Sequence, residues 1–217
     1  MPRCITVKGQ ARIHVKPDQV ILTIGLSNYD MSYEDTLSAA AESLEKLKAA
    51  VMAVGFDQSD LKTSAFDVRI NHESYRDDNN DYKTRFAGYI CEQNLKLTFD
   101  LDQKRLASIL NALAESQASP NFDIQFTVKD KDAVSEALLT AATKNARRKA
   151  EILADASNVK LGDLLSIEYN RVDVALYSPT HLLMGDEARA MKASFTPEIE
   201  AEDIEVHDNV TFVWMIG

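Results

Sequence analysis

Apolar residues recur at two different periods along this chain, and the switches between those periods outline its elements. Residues 5–15 alternate as a strand, and Lys16-Pro17-Asp18 then predicts a turn, because proline pre-sets the dihedral that the first central position requires. A β-hairpin is the expected result, its second strand carrying Val20, Leu22, Ile24 and Leu26 on one face. From about 32 to 54 the period lengthens. Leu37, Ala40, Leu44, Leu47, Val51 and Val54 recur every three or four residues, which predicts an amphipathic helix. Ser32 with Asp35 offers a capping-box-like start, and Gly55 a left-handed stop.

The short period then returns. Phe66, Val68 and Ile70 alternate with Asp67 and Arg69, and Tyr82, Thr84 and Phe86 lead to Leu95, Leu97 and Phe99. A long hairpin is predicted, irregular near Gly88. Leu106, Ile109, Leu110 and Leu113 mark a shorter helix with Asp102 as its N-cap, and Ser119-Pro120 breaks the chain after it. Phe122, Ile124, Phe126 and Val128 form the cleanest alternating strand. A second long helix over about 132–157 carries Leu138, Ala142, Ala146, Ala150 and Leu153 on one flank, and its small side chains predict a close approach to a sheet. Strands containing Leu165, Ile167 and Tyr169, and then Val206, Val210, Phe212 and Trp214, follow.

Each long helix is preceded by an alternating strand and followed by a turn ending in Asp-Leu, at Asp60-Leu61 and Asp163-Leu164. The expectation is a single α+β domain over 1–217 with an internal pseudo-repeat of strand-helix-strand halves, about 18–75 and 121–170. Its mainly antiparallel sheet would be shared, with two long helices and one shorter helix covering one side. Residues 177–201 hold no steady period and are expected to be irregular. Their apolar content is too high for a solvated loop of that length, so Leu182, Leu183, Met184, Met191 and Phe195 are assigned to a subunit contact, with simple intramolecular packing as the alternative.

With 34 acidic against 24 basic residues and a formal charge of -10, the surface should repel phosphate backbones and anionic membranes, so nucleic acid is not an expected partner. Arg147, Arg148 and Lys149 form the one basic cluster, a contact for an acidic partner or else a plain outer helix face, where Arg147 and Glu151 are an i,i+4 pair. No stretch approaches the roughly 20 apolar residues of a membrane span. Met1-Pro2-Arg3-Cys4 runs into the strand pattern without a signal-peptide core. The chain as it stands is therefore expected to be cytoplasmic, or periplasmic or exported if a leader has been removed.

Candidate chemistry is sparse. Asp77, Asn79 and Asp81 place oxygen ligands at calcium-loop spacing, yet Tyr82 occupies the glycine position and Gly88 the bidentate glutamate position, so a solvated hairpin tip is the better reading. His14, His72, His181 and His207 lie at no close ligand spacing. His207 and Asp208, as neighbours on a strand, point to opposite faces. Cys4 and Cys91 are too few for a disulfide framework and read as buried reduced thiols, a bridge between them being the alternative. No phosphate loop, nucleophile elbow or paired carboxylates with a supporting histidine is present. No catalytic residue, cofactor or metal is expected, and Asn209-Val210-Thr211 is read as a chance sequon.

The opening Ile5-Thr6-Val7-Lys8-Gly9-Gln10-Ala11, the Pro17-Asp18 turn, Gly55 with Asp60-Leu61 and Thr63, Gly88-Tyr89, the Ala-Arg-Arg-Lys-Ala core at 146–150, Leu161-Gly162 and the ending from Pro197 to Trp214 together resemble the SIMPL-domain family. The resemblance covers nearly the whole chain. It implies an α+β fold in a family that includes bacterial periplasmic immunogenic proteins, members linked to oxidative-stress tolerance, and a eukaryotic adaptor of a signalling kinase. Some bacterial members are similar to subunits of ring- or channel-like homo-oligomers, and no family catalytic residue can be carried over. Two departures stand out: the missing export signal, and Ala201-Glu202 where the family often has Pro-Gly. The expected function is a non-enzymatic, homo-oligomeric assembly or scaffold protein, with stress involvement implied by the resemblance. A small-ligand carrier is the alternative, and an enzyme of unrecognised type comes last.

Overall fold

The computed structural model describes residues 3–77, 80–169, 175–184 and 199–217. Strands β1 (Cys4–Val15) and β2 (Gln19–Asp30) precede helix α1 (Tyr33–Ala53), and strands β3 (Leu61–Arg76) and β4 (Tyr82–Asp100) precede helix α2 (Gln103–Glu115). Strand β5 (Asn121–Thr127), helix α3 (Lys131–Ala156) and strands β6 (Leu161–Glu168), β7 (Tyr177–Met184) and β8 (Ile204–Ile216) complete the order. The α+β class and the mainly antiparallel pairing are as the periodicity implies.

The strands form two sheets rather than one shared layer: β1-β8-β6, and β3-β4-β2-β5-β7. The expected β1–β2 hairpin does not form. β1 pairs antiparallel with β8 from Cys4↔Met215 to Val15↔Ile204, while β2 pairs with β4 from Gln19↔Asp100 to Asp30↔Tyr89. The Pro17-Asp18 turn instead holds the segment between β5 and α3. Asp18 N–H donates to the Thr127 carbonyl at 3.0 Å, and its carboxylate accepts from Lys129 N–H at 2.8 Å. Residues expected to be irregular begin with the strand β7, and Tyr177 and Leu176 are described while Met191 and Phe195 lie outside the described residues.

The chain divides into two compact units. The first comprises Met1–Asp18, Thr127–Pro179 and Ala201–Gly217. In it, odd-numbered β1 positions and even-numbered β8 positions face α3, so Val7, Val210, Phe212 and Trp214 pack under Ala142, Ala146 and Ala150. The alanine row brings the helix almost onto the strand. A β-carbon added at Gly9 would lie 2.2 Å from the Ala142 carbonyl oxygen, which is why only glycine fits there. A second apolar cluster joins Leu138, Val128, Leu176, Ile204 and Val206.

The second unit comprises Gln19–Phe126 and Thr180–Glu200. Its core sets Val20, Leu22, Ile24 and Leu26 of β2 and Cys91, Leu95, Leu97 and Phe99 of β4 beneath α1, against which α2 packs. The expected hairpin β3–β4 is present, with register shifts between Thr63 and Ala65 and between Ile70 and His72. Gly88 sits opposite the second shift at φ 91, since a β-carbon there would meet the Asp30 carbonyl oxygen at 2.4 Å.

Helix ends follow the sequence closely. Ser32 accepts from Asp35 N–H, and Asp102 accepts from Lys104 and Arg105 N–H. Both long helices stop in the same way. Gly55 (φ 85) donates to Met52 O while Phe56 donates to Val51 O, and Asn158 (φ 52) donates to Asp155 O while Val159 donates to Ala154 O. β2 and β3 lie in one sheet, whereas β5 and β6 lie in different sheets.

Candidate functional site

Two surface features stand out among the described residues, and each follows from how an edge strand is covered. In the first unit β1 is an edge strand, and α3 occupies its open side. Gln10 N–H donates to Asn145 Oδ1 at 3.0 Å, and Lys149 Nζ donates to the Lys8 carbonyl at 3.1 Å, so part of the edge is satisfied by helix side chains. Beside these bonds lies an open cleft of about 420 Å³ lined by Gln10, Ala11, Arg12, Asn145, Lys149, His207, Asp208 and Asn209. Arg12 is held by the Glu205 carboxylate. Asp208 takes an inward register position between Val206 and Val210, where it is buried. Its carboxylate accepts from Tyr169 O–H at 3.1 Å and from Asn209 N–H at 2.6 Å, which offsets the desolvation of a charge on an otherwise apolar face. His207 is exposed, on the face opposite Asp208 as strand alternation requires.

In the second unit the situation at β3 is different. β3 is the outer strand of its sheet, and no strand or helix among the described residues covers its free side. Phe66, Val68 and Ile70 project from the same sheet face as the buried Gln93 and Cys91 of β4, with which Phe66 and Val68 pair. α1 packs on β2 and β4, so the apolar row on β3 extends past the helix layer. Phe66 is 57% exposed and Ile70 51%. Phe86 and Tyr33 continue this surface through Tyr89, whose ring meets theirs edge-on at centroid distances of 5.4 and 5.5 Å. On the opposite face of β3, Arg69 forks onto Glu92 through two bonds of 2.6 and 2.7 Å, with an Asp67 oxygen 3.7 Å away. That pairing raises the Arg69 pKa, chiefly through its hydrogen bonds to Glu92.

The residues singled out from sequence are dispersed. Leu182, Leu183 and Met184 fall in β7, and Met191 and Phe195 lie outside the described residues. The basic cluster is divided: Arg147 pairs with Glu151 at 3.0 Å, Arg148 is exposed, and Lys149 turns back to β1. His14 and His72 are exposed, and no group of three His, Cys, Asp or Glu among the described residues is placed to hold a metal. At the hairpin tip the Asp77 carboxylate accepts from Asp81 N–H and pairs with Lys83. Asp78 and Asn79 lie outside the described residues.

Cys91 is buried and free, and burial raises its thiol pKa, with the carboxylates of Asp67 and Glu92 adding to the shift. Cys4 is free too, but it is exposed. The expectation that both are buried fails there because Cys4 shares the outward parity of Thr6 and Lys8, a signal already present in the alternation. No helix among the described residues is long and apolar enough to cross a membrane.

The family model named SIMPL, described as "Protein of unknown function (DUF541)", matches residues 5–214. A "26 kDa periplasmic immunogenic protein" of Brucella abortus (strain S19) is 26% identical over 169 residues, covering 76% of this chain and 66% of that protein, just under two thirds of its length. The counterpart from Brucella melitensis biotype 1 is 25% identical over the same extent. An "Uncharacterized protein YggE" of Escherichia coli (strain K12) is 24% identical over 214 residues, covering 98% of this chain and 82% of that protein.

Proposed function

We propose, from the premise that this chain belongs to the SIMPL family, that it is a non-enzymatic protein whose role is self-association into a homo-oligomeric assembly. The observation that carries this reading is the apolar row Phe66, Val68 and Ile70 on an outer strand, left uncovered by any strand or helix among the described residues and continued by Phe86 and Tyr33. Apolar sheet surface of this kind is normally removed from water by a partner. Leu182, Leu183, Met184, Met191 and Phe195 are proposed as a further subunit contact, and Arg147, Arg148 and Lys149 as a contact for an acidic partner. The strand-helix-strand duplication is proposed with it, supported by the matching ends of the two long helices. A periplasmic location is proposed on the printed name of the Brucella relative, and stress involvement on the family resemblance.

Size-exclusion chromatography with light scattering tests the assembly directly. A mass at a multiple of the 24.2 kDa chain is expected at micromolar concentration. A strictly monomeric mass across that range would remove this reading. A small-ligand carrier is the second reading, supported by the cleft around Arg12, Lys149 and Asp208. It ranks lower because that cleft is open and polar, whereas carrier pockets are mostly apolar and enclosing. Calorimetric titration of a metabolite extract fraction that gives saturable heat, lost in Lys149→Ala, would favour it.

A further inference from the structure

β3 carries an apolar pattern that reads the same from either end about Val68, while its two charges exchange sign, acidic at Asp67 and basic at Arg69. Between its two register shifts, residues 65–70 run as a regular strand with Phe66, Val68 and Ile70 on the helix-side face and Asp67 and Arg69 on the other. We propose that the occupant of this free edge is β3 of a second copy of this chain, paired antiparallel about a two-fold axis at Val68. The proposal rests on the self-association reading and assigns it a surface, a symmetry and a register.

The argument is one of self-complementarity. In an antiparallel pair, directly opposite residues share a sheet face, and a two-fold axis normal to the sheet preserves that face, so the axis must fall at a residue. With Val68 at the axis, Phe66 of each copy meets Ile70 of the other, and Asp67 of each meets Arg69 of the other. Opposite charges are thus matched twice and bulky apolar side chains twice, the arrangement that stabilises cross-strand pairs.

Neighbouring registers lose this match. An axis at Asp67 or at Arg69 sets identical charges against each other. An axis at Ile70 places Asp67 against Glu73, and one at Phe66 leaves Asp67 against Ala65. Parallel pairing in register would stack Asp67 on Asp67 and Arg69 on Arg69. Two other outer strands offer no comparable pattern: the charged residues of β6 are Asp163 and Glu168, both acidic, and β7 contains no Asp, Glu, Lys or Arg. In each subunit Arg69 is already oriented by Glu92 on this face, so a second carboxylate arriving across the axis meets a guanidinium fixed in place. The proposed contact would join the two five-stranded sheets through their β3 edges and bring the apolar rows of both copies together.

The test uses charge reversal in the full chain, with association measured by sedimentation velocity and folding checked by thermal unfolding. Asp67→Arg and Arg69→Asp are each expected to weaken association by about tenfold or more, since each reversal acts twice at a two-fold interface. Mixed one to one, the two variants are expected to associate as tightly as the parent, because each introduced charge then faces its opposite. Val68→Lys, which sets two ammonium groups across the axis without touching the Arg69–Glu92 pair, is expected to weaken association to the same degree. An associating parent whose three variants associate unchanged, or single variants that fail to recover on mixing, would overturn this register and leave the assembly reading standing. A parent that is monomeric throughout would overturn both.

Discussion

Gly9→Ala tests how closely α3 is seated on β1. The added β-carbon would stand 2.2 Å from the Ala142 carbonyl oxygen and 2.7 Å from Ala146 Cβ. Carbon atoms pack best at roughly 3.5 Å or more, so the helix must lift by on the order of 1 Å, because a backbone carbonyl cannot swing aside as a side chain can. Lifting loosens the alanine row over Val7, Val210, Phe212 and Trp214. Overpacking of this kind costs about 1–3 kcal/mol, against which the stiffer unfolded chain returns under about 1 kcal/mol. A net loss of about 1–2 kcal/mol should lower Tm by about 2–8 °C in a protein of this length. Trp214 is the single tryptophan, is 8% exposed and stacks on Phe212 within this same cluster, so its fluorescence follows the affected unit. A Gly9→Ala protein that melts at or above the parent temperature by that signal would refute the claimed close approach.

Other consequences are as direct. Cys4 should react with a thiol reagent in the native protein while Cys91 reacts only after denaturation, given that Cys91 is buried with a raised pKa; two fast thiols in the native state would contradict that burial. Phe66→Ser with Ile70→Ser should reduce association while changing unfolding stability by no more than about 0.5 kcal/mol per site, as expected of exposed positions, and chemical denaturation beside light scattering separates the two effects. Asp208→Ala removes the acceptor for Tyr169 O–H and Asn209 N–H and should cost about 1–3 kcal/mol, read as a lower urea midpoint by Trp214 fluorescence.

Much of the fold was legible because it is encoded locally. The helix stop at Gly55, the caps at Ser32 and Asp102, and the irregularity at Gly88 each depend on residues within one turn or one hairpin. The alanine flank of α3 also carried its meaning, since small side chains at helical spacing can only serve close packing. The local β3–β4 pairing was legible too, but long-range strand partners were not. Pro17-Asp18 fits a hairpin turn, yet β1 takes its neighbour from the other end of the chain, and the Asp18 hydrogen bonds go to Thr127 and Lys129. Nothing in a window of ten residues can weigh that long-range pairing against a local one. The same limit hid the candidate site. Phe66, Val68 and Ile70 were visible as one face of a strand, but that β3 lies beyond the helix layer depends on the order β3-β4-β2, which periodicity does not reveal.

Amide hydrogen exchange at low and high protein concentration addresses the central claim, that the uncovered β3 surface is where copies meet. Exchange across 65–70 should slow as concentration rises, while the amide of Gln10, already bonded to Asn145, should exchange at one rate throughout. Uptake across 65–70 that stays the same from dilute to concentrated solution, in samples shown by scattering to be associated, would contradict it.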